Sequence, residues 1–157
     1  MQPVERKSLE NRIILLVEDN QDDEELTLLA LKRNNIANEV VVARNGFEAL
    51  DYLFARGKYS DMRIRRLPAV ILLDLNLPGL SGIEVLRQLR GNPETELLPV
   101  VVLTTSNDIK DKVNSYSMGA NSYVIKPVDF NEFVRLVSCL GPYWLFYNEL
   151  PYGTGGN

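Results

Sequence analysis

The residues able to do chemistry in this chain sit where short apolar runs end. Glu18 and Asp19 follow the run 13–17 (IILLV), Asp74 follows 69–73 (AVILL), Thr104 follows 100–103, and Lys126 follows 123–125. The 157 residues contain no histidine and a single cysteine, Cys139. That excludes Ser-His-Asp and Cys-His nucleophile pairs, imidazole-based zinc sites, a histidine general base and an intrachain disulfide. Carboxylates, hydroxyls, lysine and a hard metal are what remain. Crowded carboxylates raise one another's pKa unless a cation intervenes. An all-oxygen donor set suits Mg²⁺, which keeps several waters and takes one or two carboxylates. A carboxylate not consumed by the metal can act as a nucleophile toward phosphorus. A hydroxyl and a cation are then needed for the phosphoryl oxygens, and Thr104 and Lys126 fit those roles.

Each residue has a plainer reading beside this one. Asp19 or Asn20 can cap a helix, and Asp22 with Glu25 has the spacing of a capping box. Asp74 can open a turn in DLNLPGLSG, Thr104 can be a strand former, and Lys126 can be a solvated loop charge. Their joint arrival at the ends of successive apolar runs is what the plainer readings leave unexplained.

The elements that position these residues follow from hydropathy. Strands are expected over 13–17, 40–43, 69–73, 100–103 and 123–125. A first helix carries Leu26, Leu29, Ala30 and Arg33 on one face and ends near Asn34 and Asn35. Further helices are expected over 47–55, with Ala49, Leu50 and Leu53 inward, and over 83–89, 109–118 and 131–139. Residues 57–68 read as a loop. Continuous Val, Ile and Leu strands, each followed by a helix, indicate a parallel sheet covered on both faces. Right-handed crossovers then give a single doubly wound (βα)5 α/β sandwich, flavodoxin-like, with strand order 2-1-3-4-5. Ligands bind at the carboxyl ends of the strands in such a sheet. The expected organisation is a polar lead-in over 1–12, one domain over 13–140, and an aromatic, then glycine-rich tail over 141–157.

Composition bounds the partners. Seventeen Lys and Arg against twenty-one Asp and Glu leave a net charge of −4, which argues against non-specific binding to nucleic acid or a membrane surface. No run reaches the length of a membrane span, and the polar start does not read as a signal peptide. A soluble, cytoplasmic protein is expected.

Four ordered stretches carry a resemblance: LLVEDN at 15–20, LLDLNLPGLSG at 72–82, PVVVLTTS at 99–106 and GANSYVIKP at 119–127. Together they resemble the receiver domain of a two-component response regulator over residues 13–140. The resemblance implies that Asp74 is the phosphoacceptor, Asp19 a direct Mg²⁺ ligand, and Glu18 an acid acting mostly through metal-bound water. Asp74 and the backbone carbonyl of Asn76 complete the metal set. Thr104 matches the switch hydroxyl, Lys126 the phosphoryl-contacting lysine, and Tyr123 an aromatic that turns inward on phosphorylation. It also implies a cis Lys126–Pro127 bond and a separate sensor histidine kinase as donor. The chain departs from the family in Glu18, where Asp is usual, and in Thr105, where a smaller residue is common. The 57–68 insertion and the closing YWLFYNELP are similar to single-domain regulators that partner phytochrome-type kinases.

Other classes fit less well. A haloacid-dehalogenase-like phosphatase needs a second Asp at position 76, which is Asn76. A dinucleotide site needs a glycine-rich first turn, and EDNQDD would repel a pyrophosphate. A DNA-binding regulator needs an appended domain, for which the residues after Leu140 are too few. A non-phosphorylated scaffold remains an alternative. Two surface expectations complete the reading. Arg56, Lys58, Arg63, Arg65 and Arg66 form a basic loop that could meet an acidic partner. Tyr143, Trp144 and Phe146 form an apolar patch expected to support a homodimer.

Overall fold

Runs of four or five Val, Ile and Leu residues are too short for helices and pair instead as strands. The computed structural model describes Leu9, residues 11–61 and residues 66–151. Its strands are β1 (Ile14–Val17), β2 (Val40–Ala43), β3 (Val70–Leu73), β4 (Val100–Thr104) and β5 (Ser122–Ile125). All neighbours pair in parallel, in the order β2-β1-β3-β4-β5. The central strands β1, β3 and β4 are buried along their whole length.

The helices are α1 (Gln21–Arg33), α2 (Gly46–Leu53), α3 (Gly82–Arg90), α4 (Ile109–Ser117) and α5 (Phe130–Pro142). Each starts at a side-chain cap, supplied in order by Asn20, Asn45, Ser81, Asp108 and Asp129. These caps satisfy backbone N–H groups that the first turn leaves open. Alternation along the strands divides the core. Leu15, Val17, Ile71, Leu73, Val100 and Val102 face α2 and α3. Ile14, Leu16, Val70, Leu72, Val101 and Leu103 face α1 and α5.

Register aligns the strand ends. Val17 pairs with Leu73, so Glu18 and Asp74 leave neighbouring strands at the same height. Thr104 pairs with Ile125, and Lys126 emerges one residue later.

Two features differ from the sequence reading. The buried face of α1 is Glu24, Thr27, Ala30 and Leu31, while Leu26 and Leu29 are exposed. The small Ala30 lies in the core that α1 shares with α5, and Asn34 ties the helix end to the Val134 carbonyl at 3.1 Å. That packing rolls the two leucines outward. At the other end, α5 continues through Pro142 into a π-helical turn, Tyr143–Tyr147. Leu145 is fully buried there, Trp144 and Phe146 are half-buried against the same core, and Tyr143 and Tyr147 are exposed. Arg12 Nη1 clasps the turn by donating to the carbonyls of Leu145 (2.9 Å) and Asn148 (3.3 Å).

The 57–68 stretch begins with a 3₁₀ turn, Gly57–Tyr59. Lys58 pairs with Glu48 and Arg66 with Glu39, each at 2.9 Å. Arg56 lies over the Phe54 ring. Two of the cations expected to meet an acidic partner are thus engaged by the chain's own carboxylates; Arg63 and Arg65 lie outside the described residues.

Candidate functional site

The three acids meet at one point because the neighbouring strands β1 and β3 end there side by side. Glu18, Asp19 and Asp74 each place a carboxylate oxygen within 4.8 Å of the others. Glu18 and Asp74 are buried and Asp19 is exposed. The backbone fixes two of them: Asn20 N–H donates to Glu18 Oε1 and Asn76 N–H to Asp74 Oδ1, both at 3.1 Å. Gly82 supports Asp74 from below. A Cβ there would lie 2.3 Å from the Asp74 carbonyl oxygen, so α3 can start against the end of β3 only with glycine.

Lys126 enters this cluster from β5. Its Nζ donates to Glu18 Oε2 at 2.5 Å and to Asp74 Oδ2 at 3.4 Å. Burial pushes the Glu18 carboxyl up to about 7, against the lowering pull of the Lys126 ammonium. Burial acts to lower the Lys126 pKa, yet its acidic neighbours, Glu18 foremost, raise it overall. One ammonium facing three carboxylates leaves negative charge for a divalent cation to balance. The donors are all hard oxygens, and the group fits a Mg²⁺-type ion.

Thr104 is fully buried, and its Oγ1 accepts from Ser106 N–H at 3.3 Å. Tyr123 packs against the α2–α3 side of the core, and its hydroxyl donates to the Ser106 carbonyl at 2.9 Å. Burial raises its pKa. The ring expected to turn inward on phosphorylation is inward in this structure. The Lys126–Pro127 bond is trans, not cis as the resemblance implied; trans is the ordinary preference of an X–Pro bond. Tyr143, Trp144 and Phe146 do not act as one exposed patch, since the buried Leu145 draws Trp144 and Phe146 inward and leaves Tyr143 outside.

The sequence reading assigned no role to two residues that the structure adds. Asp23 places Oδ2 3.5 Å from Lys126 Nζ; its signal is the second acidic pair in EDNQDD, one helical turn after Asp19. Ser106 joins Thr104 to Tyr123, and only its place in TTS marked it. Beside Lys126 lies an apolar cleft of about 260 Å³ lined by Leu26, Thr27, Val128, Phe130 and Phe133.

The family model for the response regulator receiver domain matches residues 14–138. The response regulator Rcp1 of Synechocystis sp. is 37% identical over 140 residues, covering 89% of this chain and 93% of that protein. The crystal structure of the phosphorylated cyanobacterial phytochrome response regulator RcpA superposes with a TM-score of 0.83 at 37% identity, covering 90% of this chain and 99% of that one. The bacteriophytochrome response regulator RtBRR is 49% identical, with a TM-score of 0.72 over 92% of this chain and 86% of that one.

Proposed function

Because this chain belongs to the response regulator receiver family, we propose that Asp74 is its phosphoacceptor and that the strand-end cluster is the transfer site. The observation that carries this is the meeting of Glu18, Asp19 and Asp74 around one point, with the Lys126 ammonium inside hydrogen-bond reach of Asp74. Receivers bind a divalent metal; we assign Mg²⁺ here, held by Asp19, Asp74 and the Asn76 carbonyl, with Glu18 acting through metal-bound water. When bound, the ion supplies positive charge to the phosphoryl oxygens.

Asp74 attacks in line. Its Oδ–P bond forms as the P–N bond to a donor imidazole breaks, and the imidazole leaves with the bonding pair. Because the chain has no histidine, that donor is a separate sensor histidine kinase. Lys126 neutralises one phosphoryl oxygen, and the Thr104 hydroxyl donates to another. The apolar cleft beside Lys126 gives a donor helix a place to rest while its imidazole faces Asp74. RcpA and RtBRR are phytochrome response regulators, and their likeness favours a phytochrome-type kinase. Asn76 argues against the phosphatase alternative, because its amide is no general acid. The chain is on this reading an acceptor that assists its own phosphorylation and dephosphorylation, acting in the cytoplasm without binding nucleic acid or membrane. Among the described residues no helix is long and apolar enough to cross a membrane.

Output is by surface contact, with a homodimer as the simplest form. The exposed Tyr143, in edge contact with the half-buried Trp144 on the closing turn, supplies aromatic area of the kind enriched at interfaces, and Phe146 shows only part of its ring. The function is tested by incubation with beryllofluoride and Mg²⁺. A response in the signals around Asp74 supports the reading, and none at saturating reagent refutes it.

A further inference from the structure

Ser106 makes four hydrogen bonds at the junction between β4 and α4. Its N–H donates to Thr104 Oγ1 at 3.3 Å, and its carbonyl accepts from the Tyr123 hydroxyl at 2.9 Å. Its own hydroxyl donates to Asp111 Oδ2 at 2.5 Å and accepts from Asp108 N–H at 3.3 Å. Asp111 lies in the first turn of α4, and Asp108 caps that helix. One residue therefore touches the buried hydroxyl beside the acceptor, the aromatic of β5 and the start of α4. The backbone bonds alone would join Thr104 to Tyr123. The side-chain bonds add α4, and they fix the carbonyl that Tyr123 needs.

We propose that Ser106, clamped by Asp111, is a positioning residue that holds the β4–α4 loop with Tyr123 inward and transmits movement of Thr104 to α4. The hydroxyl–carboxylate bond is charge-assisted and therefore among the stronger side-chain bonds. The segment is otherwise lightly held. In α4 only Ser115 is buried, and Ile109, Val113 and Tyr116 are exposed at helical spacing. With so little apolar packing, polar bonds at the first turn decide where the helix begins. One turn on, along the same face of the helix, the buried Ser115 hydroxyl donates to the Asp111 carbonyl at 2.7 Å. The link to transfer rests on Asp74 being the phosphoacceptor; the clamp itself does not.

The test uses the full chain labelled with 3-fluorotyrosine, with the Tyr123 signal identified by its loss in Tyr123→Phe. Without metal or phosphoryl analogue, Ser106→Ala and Asp111→Ala lower the inward population by about tenfold, moving that signal toward the exposed position. Ser106→Thr keeps the hydroxyl and retains the wild-type signal, while Asp111→Asn keeps an acceptor oxygen without its charge and falls between wild type and Asp111→Ala. The clamp is overturned if the signal stays at its wild-type position in Ser106→Ala and Asp111→Ala. It is equally overturned if Ser106→Thr behaves as Ser106→Ala, since the hydroxyl would then not be the group responsible. Adding beryllofluoride and Mg²⁺ separates the two readings. A wild-type signal that does not respond refutes Asp74 as acceptor and leaves the clamp standing on its metal-free result. A wild-type response that persists unreduced in Ser106→Ala refutes transmission through Ser106.

Discussion

The Lys126 ammonium lies 2.5 Å from the Glu18 carboxylate, and the two side chains are only 9% and 3% exposed. A pair so enclosed is costly to break on one side, because the remaining charge is stranded in a poor solvent. Lys126→Met should therefore destabilise the metal-free protein by about 3 kcal/mol, a loss that protonation of Glu18 keeps at the low end of the range. The double variant with Glu18→Gln should recover part of it. Urea unfolding measures both, and an unchanged midpoint in the single variant contradicts the account.

Asp19 is the exposed member of the acidic group. Asp19→Ala should alter stability by no more than about 0.5 kcal/mol. It should weaken Mg²⁺ binding on the order of tenfold, because a hard dication loses an anionic ligand. Calorimetric titration with Mg²⁺ decides this, and an unaltered isotherm refutes the assignment of Asp19 as ligand.

The closing turn mixes core and surface. Leu145→Ala removes a fully buried side chain and should cost about 2–5 kcal/mol. A chain stopped at Leu140 would lose that residue, so truncation confuses folding with association. Tyr143→Ser changes an exposed position and should leave the unfolding midpoint alone while shifting sedimentation toward monomer. If wild type and Tyr143→Ser sediment alike at high micromolar concentration, this turn is not the dimer contact.

Tyr52 is buried and donates to the Arg66 carbonyl at 2.8 Å. Burial pushes its phenol up to about 12 from an ordinary value of 10.0. Its raised folded pKa favours the protonated form, so the contribution to stability is complete below the unfolded pKa. It is lost as pH rises through that window, because the unfolded chain gives up the proton first. Tyr123 also titrates above the ordinary value, so alkaline difference spectra should show the latest tyrosine step lost in Tyr52→Phe and kept in Tyr123→Phe; an undiminished latest step in Tyr52→Phe contradicts this.

Much of the fold was legible because its signals are local. Unbroken Val and Ile runs marked the strands, and the polar residues that end them marked the site edge, so the meeting of Glu18, Asp74 and Lys126 could be expected from their place at the carboxyl ends of parallel strands. The buried face of α1 could not. Leu26 and Leu29 read as core by spacing, and only packing between α1 and α5, a hundred residues apart at Asn34 and Val134, rolls them outward. A still longer separation, 133 residues, hid the burial of Leu145, whose carbonyl is bonded by Arg12. Ser106 was hidden for another reason: its role lies in loop geometry, and a serine after two threonines carries no distinctive pattern.

Phosphoryl transfer to Asp74 is tested most directly by mass-resolved labelling with a small-molecule phosphodonor and Mg²⁺. The wild-type chain should gain one phosphoryl group that is base-labile, requires the metal and maps to Asp74, while Asp74→Asn gains none. Label persisting at the wild-type level in Asp74→Asn would contradict the account.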